Sequence, residues 1–414
     1  MKTADFIALE DQFGAHNYHP LDVVIQRAEG CWVWDVEGNK YLDMLAAYSA
    51  VNQGHCHPRL VRVMQEQIPQ LTLTSRAFRN DKLGPFYQYV TELTGFEKFL
   101  PMNTGAEAVE TAIKAARKWA YTVKGVAEDR AEILVFTNNF HGRTTTIVGF
   151  STEDQYKDGF GPFTPGFRVL EYGDADAVAA AMNENVAAIL IEPIQGEGGI
   201  IIPPDGYLKH LRTQCDEHNA LLIMDEIQSG LGRTGKMFAY EHEGIRPDIV
   251  IVGKALSGGF YPVSGILADD PVMGVFHPGD HGSTYGGNPV AAAVAMEALQ
   301  ILVEDQLVDR SAELGAYALD RLERCGSPYI KELRGRGLWI GVELHESAGG
   351  ARQFCEALQH LGVLCKETHE HVIRIAPPLN ISKEDLDWGL DHIEDVLTRD
   401  WSAKTETPEA AIVA

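Results

Sequence analysis

The 414-residue sequence lacks the long apolar run that a membrane span requires. A transmembrane helix needs about 20 consecutive apolar residues, and no run approaches that length. The first residues, MKTADFIALEDQFG, contain acids and no apolar core, so they do not resemble a secretory signal. These absences predict a cytoplasmic protein without membrane partners.

Cysteine is also scarce, with only six in the whole sequence and no C-x-x-C pair. Scattered cysteines in a chain of this length are typical of reduced thiols in a cytosolic protein. Two histidines flank one of them in His55-Cys56-His57, but no further ligands follow at the spacing of a metal site. We therefore expect no bound metal and interpret this segment as structural.

The sequence has few positively charged residues, with 35 Lys and Arg against 59 Asp and Glu, which gives a formal net charge of −24. Such a surface repels phosphate backbones, which predicts that nucleic acids are not partners. The hydrophobic fraction of 45% and the charged fraction of 23% are ordinary for a soluble globular protein, and the length favours more than one domain.

The middle of the sequence alternates short apolar runs with helical stretches. Continuously apolar strands are buried on both faces, which predicts an α/β fold with a mainly parallel sheet flanked by helices. The four runs are Ile133–Thr137, Ala188–Glu192, Leu221–Asp225 and Asp248–Val252. Helical spacing of apolar residues predicts one helix beginning after Thr104-Gly105 and a second, long helix from Pro289 to Glu304.

The two ends of the sequence have a different pattern from the middle. Residues 51–300 are expected to form a large domain around the sheet. Residues 1–50, with the strand-like CWVWDVEG, and residues 301–401, with GLWIGVEL and VIRIA, are expected to form a smaller α+β domain together. Residues 402–414 are a biased tail that we expect to be flexible.

Ligands bind beyond the carboxyl ends of parallel strands, and three predicted strands deliver a polar residue there: Glu192, Asp225 and Lys254. An acid at a buried strand end is costly unless it is paired. A lysine directly after an apolar strand points into a site, where burial favours the neutral, nucleophilic amine. A helix cap or metal ligand for Asp225, and a solvated loop position for Lys254, are the ordinary alternatives.

Pyridoxal phosphate (PLP) requires a lysine, a carboxylate facing the ring nitrogen, an anion site and a wall against the ring. Lys254 and Asp225 match the first two requirements. Asn103-Thr104-Gly105-Ala106 precedes a predicted helix whose free N–H groups suit a phosphate, although alone it is an ordinary helix start. The segment Phe140-His141-Gly142-Arg143 offers rings for stacking and an arginine for a carboxylate.

With these residues in place, the sequence resembles the class III aminotransferases of PLP fold type I over nearly its whole length. The matching segments, in order, are NTGAEAVETAIKAAR, NNFHGRT, EPIQGEGG, DEIQSGLGRTGK, PDIVIVGKALSGG and HGSTYGGNP. Within the class it is most similar to the members that act on ornithine, through HNYHPLDVV, YSAVNQGHCHP, LTLTSRAF, LPMNTGAEAVE, GFGPFTPGF and IRIAPPL. The resemblance implies a seven-stranded, mainly parallel sheet in the large domain.

The resemblance also implies a role for each cofactor residue. Lys254 would bind PLP as a Schiff base and shuttle the proton, while Asp225 would pair with the pyridine nitrogen. The other implied cofactor contacts are Gln228 near the ring hydroxyl, Gly105 and Ala106 at the phosphate, Phe140 and His141 at the ring, and Ser283 and Thr284 at the phosphate of a second copy's cofactor. Such sharing implies a homodimer.

The implied substrates are ornithine, which donates its δ-amino group, and 2-oxoglutarate. The product would be glutamate 5-semialdehyde, which cyclises to pyrroline-5-carboxylate. Tyr18 and Arg143 would hold the α-amino and α-carboxylate groups of ornithine, in a pocket that Tyr48 also lines. Arg374 would be a second arginine able to bind a carboxylate. Glu197 would mask it, by pairing with it, while ornithine is bound.

Several alternatives stay open at this stage. Another class III enzyme acting on acetylornithine, 4-aminobutyrate or lysine has the same cofactor residues, and the match is weakest between about Leu307 and His371. A PLP-binding regulator without turnover is a second alternative, although no DNA-binding module precedes the matching region. GLGRTGK resembles a phosphate-binding P-loop, but Met237 stands where Ser or Thr ligates magnesium.

Overall fold

The computed structural model describes residues 1–401, so the expected flexible tail at 402–414 lies outside the described residues. Its helices, in chain order, are α1 (Thr3–Phe13), α2 (Ala46–Ser49), α3 (Pro58–Gln67), α4 (Leu83–Thr94), α5 (Gly105–Trp119), α6 (Thr145–Gly149), α7 (Asp154–Lys157), α8 (Ala175–Ala181), α9 (Tyr207–Glu217), α10 (Asp270–Met273), α11 (Pro289–Glu304), α12 (Leu307–Arg324), α13 (Arg352–His360) and α14 (Lys383–Thr398).

The strands form one large and two small sheets. In chain order they are β1 (Ile25–Glu29), β2 (Trp32–Asp35), β3 (Lys40–Asp43), β4 (Lys98–Met102), β5 (Glu132–Phe136), β6 (Phe167–Leu170), β7 (Val186–Ile191), β8 (Leu221–Asp225), β9 (Ile249–Val252), β10 (Ser264–Ala268), β11 (Ile330–Gly335), β12 (Ile340–Leu344), β13 (Val363–Leu364), β14 (Lys366–Thr368) and β15 (Val372–Ile375).

The large sheet has seven strands in the order β4-β10-β9-β8-β7-β5-β6. Only β10 runs antiparallel to its neighbours, so the predicted mainly parallel sheet is confirmed. Every residue of β7, β8 and β9 is buried, because their sequences VAAILI, LLIMD and IVIV carry no side chain that needs solvent before the last position. These three strands form the floor of the site.

Helix α5 begins where the sequence predicts, because its first turn is closed by a reciprocal cap. The Glu107 backbone N–H donates to Thr104 Oγ1 at 3.3 Å, and the Thr104 N–H donates to the Glu107 carboxylate at 2.8 Å. Small apolar residues such as Ala108 and Ala112 are fully buried against the sheet. The predicted long helix from Pro289 to Glu304 is also confirmed, as α11.

The two small sheets involve both ends of the chain. β1, β2 and β3 form an antiparallel sheet whose fourth strand, β13, comes from the C-terminal third and pairs in parallel with β3, Val363 opposite Leu42. β11, β12, β15 and β14 form the other, wholly antiparallel sheet. Searched over residues 1–401, no helix combines the length and apolar character of a bilayer span.

Candidate active site

The carboxyl ends of β7, β8 and β9 lead into one cavity. Glu192, Asp225 and Lys254 follow or end these strands, and all three line its wall. Eight of the sequence-predicted site residues line it: Gly105, Ala106, Phe140, His141, Glu197, Asp225, Gln228 and Lys254. The fold therefore brings together side chains that lie up to 149 positions apart (254 − 105).

Asp225 is held in a buried ion pair with His141. His141 Nδ1 lies 2.7 Å from Asp225 Oδ2, and the side chains are 0% and 4% exposed. Burial alone would lower the pKa of His141, but the hydrogen bond and the charge of Asp225 outweigh it and raise that pKa. Asp225 is thus bonded to a buried histidine, and its Oδ1 also accepts the Ile227 N–H at 3.1 Å.

Lys254 begins a short 3₁₀ turn with a φ of +43°, a left-handed value that is uncommon for lysine. Such values persist only where the surrounding structure enforces them, and they concentrate at functional sites. Burial lowers the pKa of the Lys254 amine, although the carboxylates of Glu197, Asp225 and Glu192 act in the opposite direction. Within residues 1–401 its amine forms no ion pair, so it is free to react.

The first turn of α5 presents donors to the same cavity. The backbone N–H groups of Gly105 and Ala106 find no acceptor among residues 1–401, as expected at a helix start. A Cβ on Gly105 would lie 3.0 Å from Ile227 Cδ1, which leaves little room for any side chain there. The turn is therefore a small, open anion site beside Lys254.

One arginine, Arg143, lies among aromatic rings at the edge of the cavity. Its Nη1 donates to the Tyr18 hydroxyl at 3.2 Å. Its guanidinium lies 5.3 Å from the centre of the Phe140 ring and 4.9 Å from that of Tyr156. Sequence reasoning missed Tyr156, because it stands in the unpatterned segment STEDQYKDG with no motif around it.

A second arginine, Arg374, is masked by a carboxylate. Its Nη1 lies 2.7 Å from Glu197 Oε1, with side-chain exposures of 5% and 25%. Gln228 Nε2 donates to the same Glu197 oxygen at 3.3 Å, and the Arg374 guanidinium lies 4.7 Å from the centre of the Tyr48 ring. Glu197 therefore links the cavity wall to the arginine behind it.

Tyr48 is carried by an unusual backbone, because α2 is a single left-handed turn. Ala46, Ala47, Tyr48 and Ser49 have φ values of +49°, +47°, +59° and +67°. L-residues pay about 1–2 kcal/mol each for this conformation. Asp43 supports the turn, since its Oδ1 accepts the N–H groups of Leu45, directly before the turn, and of Ala46, each at 2.9 Å.

The segment that carries Tyr18 is exposed but anchored. Tyr18 is 70% exposed, and its neighbours are tied to the C-terminal part of the chain through backbone carbonyls. Arg352 Nη2 donates to Pro20 O at 3.1 Å, and Lys366 Nζ donates to His19 O at 3.4 Å. The position of Tyr18 thus depends on residues that no local motif predicts.

Ser283 and Thr284 are outside the wall of this chain's cavity. Ser283 Oγ accepts Asn103 Nδ2 at 2.7 Å, just before the first turn of α5, and Thr284 is exposed. Their implied role toward a second copy stays a prediction.

The chain is similar to known proteins over nearly its whole length. The Aminotransferase class-III family matches residues 13–397. A protein named ornithine aminotransferase from an Exiguobacterium species is 59% identical over 396 residues, which cover 96% of this chain and 98% of that protein.

Two solved structures are similar along the whole fold. The ornithine aminotransferase from Toxoplasma gondii ME49 has a TM-score of 0.95 at 45% identity, covering 96% of this chain and 95% of that one. The acetylornithine aminotransferase from Elizabethkingia anophelis has a TM-score of 0.88 at 46% identity, covering 96% and 99%. The chain belongs to the class III aminotransferases, the family that its cofactor motifs resemble.

Proposed function

We propose that the chain is an ornithine 5-aminotransferase, which transfers the δ-amino group of L-ornithine to 2-oxoglutarate with PLP as cofactor. The observation that carries this proposal is the pair of arginines. Arg143 is open and paired with the Tyr18 hydroxyl, whereas Arg374 is masked by Glu197, and each contacts the wall of the cavity that holds Lys254. Relatives named ornithine aminotransferase support it.

The residues present fit PLP. Among residues 1–401, the Lys254 amine has no partner, Gly105 and Ala106 offer two open N–H groups, and the buried oxygen Oε1 of Gln228 lacks a donor. Asp225 would face the pyridine nitrogen, and its bond to the buried His141 holds the carboxyl group in place. When bound, PLP supplies an electron sink for the carbon that loses its proton.

In the first half-reaction, the chain's residues hold ornithine by the end that does not react. Arg143 binds the α-carboxylate, and the Tyr18 hydroxyl accepts a hydrogen bond from the α-amino group. Glu197 keeps Arg374 neutralised, so no second carboxylate site competes for the substrate. The δ-amine then lies toward Lys254, whose lowered pKa favours the neutral amine that accepts and returns the proton.

In the second half-reaction, 2-oxoglutarate brings two carboxylates. Opening the pair between Glu197 and Arg374 frees a guanidinium for the α-carboxylate, while Arg143 takes the γ-carboxylate. The cost of opening this largely buried pair is offset because the α-carboxylate replaces Glu197 as the partner of Arg374, which suits a site that must accept two unlike substrates. An exposed Thr284, directed at a second copy's phosphate, would make the homodimer the working unit. Location in the cytoplasm stays a prediction.

A panel of amino donors with 2-oxoglutarate as acceptor tests the proposal. We expect turnover of ornithine and formation of the cyclic product, pyrroline-5-carboxylate, which can be trapped and identified. The second candidate is an acetylornithine aminotransferase, favoured by the 46% identity to the Elizabethkingia anophelis protein. Turnover of acetylornithine without turnover of ornithine would replace our proposal with that one.

Replacing Tyr18 by Phe tests the grip on the α-amino group. Tyr18 is 70% exposed in the single chain, so we expect the loss of its hydroxyl to cost about 1 kcal/mol. This is roughly a fivefold fall in kcat/KM for ornithine, with 2-oxoglutarate kinetics unchanged. Tyr41→Phe is the control, because it removes a hydroxyl bonded to Asp35 Oδ2 at 3.1 Å, in the β1-β2-β3-β13 sheet. Unchanged ornithine kinetics in Tyr18→Phe would remove this residue from the site.

Replacing Glu197 by Gln tests the mask on Arg374. The variant leaves the guanidinium charged, which repels cationic ornithine and opens a second grip for its α-carboxylate. We expect the ornithine half-reaction to slow roughly tenfold, about 1.4 kcal/mol, while the 2-oxoglutarate half-reaction is kept or becomes faster.

Single-turnover measurement of each half-reaction gives the ratio of the ornithine rate to the 2-oxoglutarate rate directly. Glu343→Gln is the matched control, since Glu343 also pairs with an arginine, Arg334, and does not line the cavity. An equal change in both half-reactions of Glu197→Gln would contradict the masking role.

A further inference from the structure

Glu192 is a buried acid of the cavity wall that the proposed chemistry does not use. It follows β7 directly and is only 7% exposed. Two loops that carry site residues lie beside it: residues 138–142, which hold Phe140, and residues 193–198, which hold Glu197. No arginine or lysine pairs with Glu192 within residues 1–401, so its partners must be of another kind.

Those partners are backbone N–H groups, one from each loop. The Phe140 N–H donates to Glu192 Oε2 at 2.9 Å, and the Gly196 N–H donates to Glu192 Oε1 at 3.3 Å. One carboxylate therefore bonds both loops, using a different oxygen for each. Gly196 is the residue immediately before Glu197, so the second bond fixes the backbone from which the mask on Arg374 extends.

We infer that Glu192 is a positioning residue, which ties the Phe140 loop to the Glu197 loop and so sets the mask on Arg374. The part of this inference that concerns Arg374 rests on the proposed function, whereas the tie between the loops does not. Only an ionised carboxylate accepts at both oxygens without a hydrogen of its own. An amide of equal size places a donor against one of the two N–H groups.

Opposing effects act on the charge of Glu192. Burial raises the pKa of its carboxyl to about 7, while the charge of His141 and the N–H groups of Phe140 and Gly196 work in the opposite direction. The same two bonds that join the loops thus favour the carboxylate form, against the effect of burial. A second bond between the loop regions, from Gln195 Nε2 to Thr137 O at 2.7 Å, does not depend on Glu192.

Glu192→Gln and Glu192→Asp test the tie from two directions. Gln keeps the length and loses one acceptor, whereas Asp keeps the charge but is one CH₂ too short to reach both loops. Glu226→Gln is the matched control: Glu226 is 1% exposed, its pKa is also raised by burial to about 7, and it accepts the Tyr240 N–H at 3.0 Å, yet it does not line the cavity.

Hydrogen–deuterium exchange of the full chain, with and without PLP, measures the loops without requiring activity. In both Glu192 variants we expect exchange to be roughly five- to tenfold faster in peptides covering residues 138–142 and 193–198. This factor corresponds to the loss of one ordinary hydrogen bond. The control should leave both peptides unchanged. Exchange at the wild-type rate in both peptides of either Glu192 variant overturns the inference. So does equally fast exchange in Glu226→Gln, because the effect would then be loss of stability alone.

A second measurement reports on the pairing of Glu197 with Arg374. In the Glu192 variants we expect the rate of the ornithine half-reaction to fall roughly tenfold relative to that of 2-oxoglutarate, with the ratio in Glu226→Gln as in the wild type. An unchanged ratio beside faster exchange would overturn the link to Arg374. If the wild-type protein does not turn over ornithine, the proposed function fails, and the exchange measurement still decides whether Glu192 ties the loops. If Glu192→Gln does not fold, Glu192→Asp decides both outcomes.

Discussion

Replacing Lys254 by Ala is expected to abolish amino transfer, with kcat lowered by about 10²–10⁴-fold, the usual contribution of a positioned acid–base group. The structure supplies the physical reason. Lys254 is the cavity lysine, burial lowers the pKa of its amine, and no ion pair within residues 1–401 occupies it. Asp225, an acid of the cavity wall, is already bound to His141.

Two measurements separate this role from a loss of folding. The visible absorption of the lysine-bound cofactor should disappear in Lys254→Ala, while PLP can still bind through the open N–H groups of α5. Lys124→Ala is the control: burial also lowers the pKa of Lys124, but its amine donates to the carbonyls of Val186 and His218, outside the cavity. Persistence of the absorption band in Lys254→Ala would mean that a different lysine holds the cofactor.

Much of this architecture could be predicted from local sequence. The runs LLIMD and IVIV have no polar side chain before their last residue, so burial on both faces leaves a central strand as the only suitable element. The acid and the lysine at the ends of such strands then meet at one edge of the sheet. Strands β4, β6 and β10 were not predicted, because Pro101, Arg168 and Gly265 interrupt their apolar pattern.

Other features depend on contacts that are distant in sequence. Nothing in AAYS predicts a left-handed turn, since alanine and tyrosine disfavour positive φ, and the turn is supported by Asp43 and the packing of Tyr48 beside Arg374. The pairing of His141 with Asp225 joins residues 84 positions apart. Tyr156 lies beside Arg143 for the same reason, and no pattern in the neighbouring sequence indicates it, whereas the apolar run that ends at Glu192 does indicate the position of that residue.

The segment GLGRTGK resembles a phosphate-binding loop, but its arginine, Arg233, has a structural role. Arg233 is 0% exposed and pairs with no carboxylate of the described residues 1–401, so burial lowers the pKa of its guanidinium to about 9. Its Nη1 donates to the carbonyls of Leu338 at 2.8 Å and Pro377 at 2.7 Å, and its Nη2 donates to Asn52 Oδ1 at 2.5 Å. One side chain thus connects four segments of the chain.

Arg233→Met is therefore expected to lower the free energy of unfolding by about 2–5 kcal/mol, because three buried acceptors lose their donor at roughly 1–3 kcal/mol each and removal of a buried charge offsets part of that loss. Thermal unfolding of the cofactor-free protein measures the change. Lys236→Met, an exposed substitution in the same loop, should have little effect. A variant as stable as the wild type would show that the desolvation of the unpaired guanidinium outweighs its hydrogen bonds.

The same substitution should also act on the site, because Pro377 lies only three residues after Arg374. Loss of the bond to the Pro377 carbonyl frees the end of β15, and with it the arginine that Glu197 masks. We expect Arg233→Met to alter the ratio of the two half-reactions in the direction of Glu197→Gln, at temperatures where the protein is still folded. A stability loss with an unchanged ratio would confine Arg233 to a role in folding.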